Sequence, residues 1–109
     1  MAIRHKFLAQ GAWYKMSLAQ QMGNIGSEVS RAAGWYSRDP SIFSEALERA
    51  FELLDLTLSD PRWRHRLKEL TRAREVLVDA ADGGRTYHVS LDDLEQYFFT
   101  FAILARIRC

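Results

Sequence analysis

The chain has 109 residues, of which 48% are apolar, 27% charged and 12% aromatic. This excludes collagen-like, low-complexity and disordered classes and fits one globular domain. Fifteen Lys and Arg against fourteen Asp and Glu leave a net charge of +1, so there is no all-over polybasic character. The single cysteine, Cys109, excludes an intrachain disulfide and fits a reducing, cytoplasmic setting.

Met1 to Trp13 carries Arg4, His5 and Lys6 but no apolar stretch of signal-peptide length. The longest near-apolar run, Tyr97 to Ala105, has nine residues, whereas a membrane span needs about 20, so no membrane association is expected. Residues 1–16 read as an N-terminal arm and 17–109 as four helices. Helix one runs from Ser17 to Tyr36. Ser17 and Gln20 make a capping-box pattern, and Leu18, Met22, Ile25, Val29, Ala32 and Tyr36 form an apolar stripe. Helix two, Ser41 to Leu58, starts behind Asp39-Pro40 and buries Phe43, Ala46, Leu47, Ala50, Leu54 and Leu58. Helix three opens at Asp60-Pro61 and closes at Gly83-Gly84, with Trp63, Leu67, Leu70, Leu77 and Ala81 inward. Arg85 to Val89 is too short and isolated to found a sheet. Helix four opens with the capping-box pattern Ser90/Asp93, followed by Leu91, Leu94, Tyr97, Phe98, Phe101 and Ala105 at helical spacing. The short connections predict an all-α fold, an antiparallel up-down-up-down four-helix bundle.

Gly23, Ser27, Ser30 and Gly34 share one face of helix one, where small residues suit either tight packing within the bundle or a subunit contact. Gly23-Asn24-Ile25-Gly26 has the form of a KH-domain clamp but lacks the strands that module needs. Helix two is acidic outside (Glu45, Glu48, Glu52, Asp55), with Arg49 its one cation, and reads first as a solvated face. No Glu-x-x-His pair supports a di-iron bundle, and His65 with Glu69 supplies only two ligands. No metal and no cofactor are expected.

Helix three concentrates Arg62, Arg64, Arg66, Lys68, Arg72 and Arg74 against Glu69 alone, with His65 as a further donor. Cations in the first turns of a helix oppose its dipole by about 0.3–1 kcal/mol each. A phosphate backbone or an acidic protein surface would offset that cost. On a continuous helix Arg62 and Arg66 form one row, and Arg64, Lys68 and Arg72 a second, about 12 Å long. Arg62, Arg64, Arg66, Lys68 and Arg72 are the candidate nucleic-acid contacts. Arg74 falls on the apolar seam between Leu70 and Leu77 and must be paired. Glu28, Arg31, Asp55 and Glu75 are its candidate neighbours, and a polar network of Glu28, Arg31, Asp55 and Arg74 at the inner edge is expected.

Helix four is apolar nearly all round, which points to a homo-oligomer interface through Phe98, Phe99, Phe101 and Ile103, unless Trp13 and Tyr14 cover part of that patch. No P-loop, nucleophile elbow, zinc spacing or Arg-then-His ribonuclease spacing occurs, so no enzyme is expected.

The strings Leu18-Ala19-Gln20-Gln21-Met22-Gly23-Asn24-Ile25-Gly26-Ser27-Glu28-Val29, Ala46-Leu47-Glu48-Arg49-Ala50 and Leu53-Leu54-Asp55-Leu56-Thr57 carry a resemblance over residues 13–106. The chain resembles a family of small bacterial four-helix-bundle proteins to which no activity is attached. In layout it is more distantly similar to the 23S rRNA intervening-sequence proteins and the accessory variability determinants of diversity-generating retroelements. That similarity implies ring-like oligomers with basic surfaces and work beside a reverse transcriptase, or another nucleic-acid enzyme, and its RNA; it transfers no site residue. The expectation is a non-enzymatic oligomeric adaptor that binds RNA or DNA through helix three, the alternative a protein-only scaffold.

Overall fold

The computed structural model describes residues 11–108, and every regular element among them is helical. Arg4, His5, Lys6, Cys109 and the first ten residues of the expected arm lie outside the described residues. A helical turn at residues 11–13 leads into α1 (Leu18–Trp35), α2 (Pro40–Leu58), a 3-10 segment (Pro61–Arg66), α3 (Leu67–Ala81) and α4 (Leu91–Arg108).

Local chemistry sets the starts of three helices. Ser17 caps α1 reciprocally with Gln20, its Oγ accepting from the Gln20 N–H while Gln20 Oε1 accepts from the Ser17 N–H. The Asp39 carboxylate accepts from the Ser41 and Ile42 N–H groups, and Pro40 takes the first helical position of α2. Ser90 and Asp93 repeat the reciprocal cap at α4. α3 ends in a Schellman motif: the Gly83 and Gly84 N–H groups donate to the Ala80 and Asp79 carbonyls, with φ of 108° and 69°. The following loop turns rather than extends. The Asp79 carboxylate holds it by accepting from the Thr86 and Tyr87 N–H groups.

α1 is the central helix. It packs along α2 on one side and α4 on the other, while α3 lies mainly against α2 and touches α4 more lightly. Met22, Ile25, Val29, Leu54, Leu70, Leu77 and Phe98 are the fully buried centre. α1 and α4 approach closely at Gly26, where a Cβ would stand 3.1 Å from Phe98 Cβ. Any larger residue there would have to push the Phe98 side chain back by a few tenths of an ångström. Gly23 and Gly34 meet nothing within 4 Å and are not packing glycines.

Four expectations change. Helix three is not one α-helix from Asp60. Residues 61–66 form a 3-10 segment, with Trp63 at φ −104°, ψ 22°, and α-helix begins only at Leu67. The turn is tied down by hydrogen bonds that Arg62 donates to the Met16 carbonyl and Trp63 donates to Gln21 Oε1 of α1. Phe98 and Phe101 do not lie on the outward face of α4. Both are buried on the inward stripe of α4 with Leu91, Leu94 and Ala105, while Phe99 is 64% exposed. Trp13 and Tyr14 do not extend over that exposed face. Trp13 enters the core and donates from Nε1 to Thr57 Oγ1 at 3.1 Å, and the Tyr14 and Ser59 hydroxyls are 2.7 Å apart, so both anchor on the end of α2. Tyr36 lies past the end of α1, exposed, edge-on to Phe43.

Candidate nucleic-acid interface

The basic segment hangs from one buried carboxylate. Asp60 is 3% exposed and caps the 3-10 turn by accepting from the Arg62 N–H at 3.0 Å. Its two oxygens also hold the Arg62 guanidinium, with Nη2 to Oδ2 at 2.7 Å and Nε to Oδ1 at 3.1 Å. Gln21 of α1 completes the knot. Its amide donates to Asp60 Oδ2 and to the Trp13 carbonyl, and its Oε1 accepts from Trp63 Nε1 at 2.9 Å. Burial pushes the Asp60 carboxyl up, but the hydrogen bonds from Arg62 and Gln21 outweigh it and hold the group below the ordinary aspartate range.

This arrangement sorts the cations. Arg62 serves the fold: besides Asp60, it donates to the Met16 carbonyl at 2.7 Å and stacks over Trp63. Arg66 is turned back over the ring of Phe101 and pairs with Glu69 at 2.9 Å. Glu69 also accepts from the Tyr97 hydroxyl, whose pKa is raised first by burial and then by the Glu69 charge, so Tyr97 stays a neutral donor. Glu69 is therefore engaged away from a His65 metal pair. Among the described residues no three His, Cys, Asp or Glu side chains gather as a metal site.

Arg64, His65 and Lys68 are exposed and make no side-chain hydrogen bond or ion pair among the described residues. Arg72 is largely exposed, with Glu75 at 3.5 Å and the ring of the exposed Tyr87 beneath its guanidinium. Lys68 and Arg72 share one face of α3. The row that a continuous helix would extend to Arg64 is interrupted by the 3-10 segment, so Arg64 and His65 stand at the head of α3 rather than along its side. Arg66 occupies the N-cap position of α3, and no side chain caps that helix start.

The expected four-residue polar network divides into two half-exposed groups. Arg74 of α3 pairs with Asp55 of α2 at 2.7 Å and lies over Phe51. Arg31 of α1 reaches Glu28 at 3.5 Å and Glu45 of α2 at 3.1 Å, and Arg49 also approaches Glu45. Arg74 is 36% and Asp55 56% exposed, so this pair snorkels at the edge instead of lying inside. Part of the acidic face of α2 is thus used within the chain.

Sequence reasoning missed Gln21, whose signal was present. It is a polar residue three positions after Leu18 and four before Ile25, on the apolar stripe itself. No described helix is long and apolar enough to cross a membrane. No family model, curated protein or solved structure matches the chain.

Proposed function

We propose that this chain is a non-enzymatic, homo-oligomeric helical adaptor that binds nucleic acid, RNA in the first place, through Arg64, His65, Lys68 and Arg72. Its four long helices form the antiparallel up-down-up-down bundle that its short connections favour. The observation that carries the reading is the division among the cations. Arg62, Arg66 and Arg74 are held by carboxylates, whereas Arg64, His65 and Lys68 are exposed at the head of α3 and make no side-chain hydrogen bond or ion pair among the described residues. Positive charge there works against the helix dipole, and a phosphate would be attracted by both the cations and the positive end of that dipole. Tyr87, exposed beside Arg72, adds an aromatic ring of the kind on which single-stranded bases stack. One protomer offers only a few phosphate contacts, so useful affinity comes from repeating the patch in an oligomer. Service to a reverse transcriptase or another nucleic-acid enzyme belongs to the same reading.

The test is fluorescence anisotropy with labelled single-stranded and hairpin RNA. The wild type loses affinity steeply between about 50 and 200 mM salt. The triple variant Arg64→Glu, Lys68→Glu, Arg72→Glu binds neither RNA and keeps wild-type helicity and mass. No measurable binding by the wild type at low salt overturns the reading and assigns the patch to an acidic protein surface, as in a protein-only scaffold.

A further inference from the structure

We infer that the outward face of α4, with the groove it forms against α1, is the docking surface for a second copy of this chain, set antiparallel about a two-fold axis at Phe99. The inference rests on the homo-oligomeric part of the proposed function and gives that oligomer its unit and its geometry.

The exposed positions of α4 include Asp92, Gln96, Phe99, Ile103 and Arg106, separated alternately by four and three residues. That is the spacing of a seam between two paired helices. Phe99, Ile103, Leu104 and Ile107 are exposed along the same helix, large apolar side chains of the kind that mark interaction surfaces when they cluster. The seam is charged in opposite sense at its two ends. Reversed about Phe99, it sets Asp92 against Arg106 of the partner subunit and Phe99 against its own twin. A parallel pairing would set Asp92 on Asp92 and Arg106 on Arg106.

The groove beside the seam repeats the pattern. A recess of about 510 Å³ includes Gly23, Ser27, Phe99 and Ala102 in its walls and continues past Phe99 toward Ser17 and Arg106. Glu95 at one end and Arg106 at the other are the only charged residues lining it among those described. Gly23 leaves open space in which a large side chain can sit. Phe99 of the partner subunit fits this recess in size and character, and antiparallel docking carries the basic end of one copy to the acidic end of the other. With one cation in its lining, the groove is no phosphate surface.

The experiment uses the full chain without nucleic acid. Light scattering gives twice the protomer mass at high micromolar concentration. In a Cys109→Ser background, Phe99→Cys cross-links copies under mild oxidation, whereas Asp92→Cys does not, because antiparallel docking puts Asp92 some 21 Å from its twin. Asp92→Arg alone and Arg106→Asp alone each weaken the dimer by about tenfold, and mixing the two single variants restores association. A monodisperse monomer, efficient cross-linking through Asp92→Cys, or a dimer indifferent to Phe99→Glu and to both charge reversals each overturns the inference. Should Phe99→Glu not fold, as judged by circular dichroism, the charge reversals decide. A dimer without RNA affinity retains this inference and overturns the nucleic-acid reading, and a monomer that binds RNA does the reverse.

Discussion

Arg62 and Arg64 lie two residues apart in the same 3-10 segment and serve opposite sides of it. On the inner side, Arg62 closes a knot of Asp60, Gln21, Trp63 and the Met16 carbonyl that fastens the segment to α1. On the outer side, Arg64 and His65 face solvent, with Lys68 following on α3. A run of cations is therefore not one functional feature. Each guanidinium belongs to whichever side its carboxylates occupy, and only the residue left over is available to a ligand. Substitutions on the two sides separate stability from binding.

The largest expected effect lies on the inner side. Asp60→Ala removes the cap of the segment, takes an acceptor from the buried Gln21 amide and leaves the part-exposed Arg62 guanidinium without its carboxylate. The loss of stability is about 3 kcal/mol, measured by urea denaturation. An unchanged midpoint would mean that the knot contributes nothing.

The same knot gives the pH dependence. The Asp60 carboxyl is held below the ordinary 3.8, so its contribution is fully present above that value and is lost as pH falls through the lower folded-state value. Asp79 and Asp93 act in the same direction, lowered chiefly by the Tyr87 and Ser90 N–H groups respectively. Thermal melts below about pH 4 show a steep acid limb, which Asp60→Asn makes shallower without abolishing. A limb identical in wild type and Asp60→Asn would show that Asp60 is not perturbed.

Arg74 provides an intermediate case. It carries a carboxylate partner like Arg62, but the pair is open to solvent. Arg74→Ala costs about 1 kcal/mol, part of it from the stacking on Phe51. A loss above about 3 kcal/mol in the same denaturation experiment would place the pair in the interior.

What the sequence revealed and concealed follows one physical line. Caps and stops are local, so Ser17 with Gln20, Asp39 with Pro40, Ser90 with Asp93, and Gly83 were readable as written. The 3-10 segment was not, because it is held by Gln21 and Met16 from across the chain, and Asp60-Pro61 looks the same before either kind of helix. In Tyr97-Phe98-Phe99-Thr100-Phe101 the aromatic residues are too alike for periodicity to separate inward from outward. Phe98 meets Gly26 and Phe99 meets solvent, a division set by where α1 lies. Arg74 on an apolar stripe correctly signalled a partner on α2, but its long stem lets the charge reach water, which no spacing rule registers.

The smallest effect on stability belongs to the outer side, and there the contrast with Arg62 is sharpest. Arg64→Ala and Lys68→Ala remove no described hydrogen bond or ion pair, and both side chains are exposed, so each changes stability by less than about 0.5 kcal/mol. Alanine also favours helix, and relieving positive charge near the head of α3 acts in the same direction. The double variant therefore melts at or slightly above the wild-type temperature. Its RNA affinity falls, and the slope of log affinity against log salt becomes shallower by somewhat less than two units, since each phosphate that a cation neutralises accounts for a little less than one. Equal slopes in the double variant and the wild type would mean that these cations touch no phosphate. A marked loss of stability would mean instead that the outer side, like the inner, serves the fold.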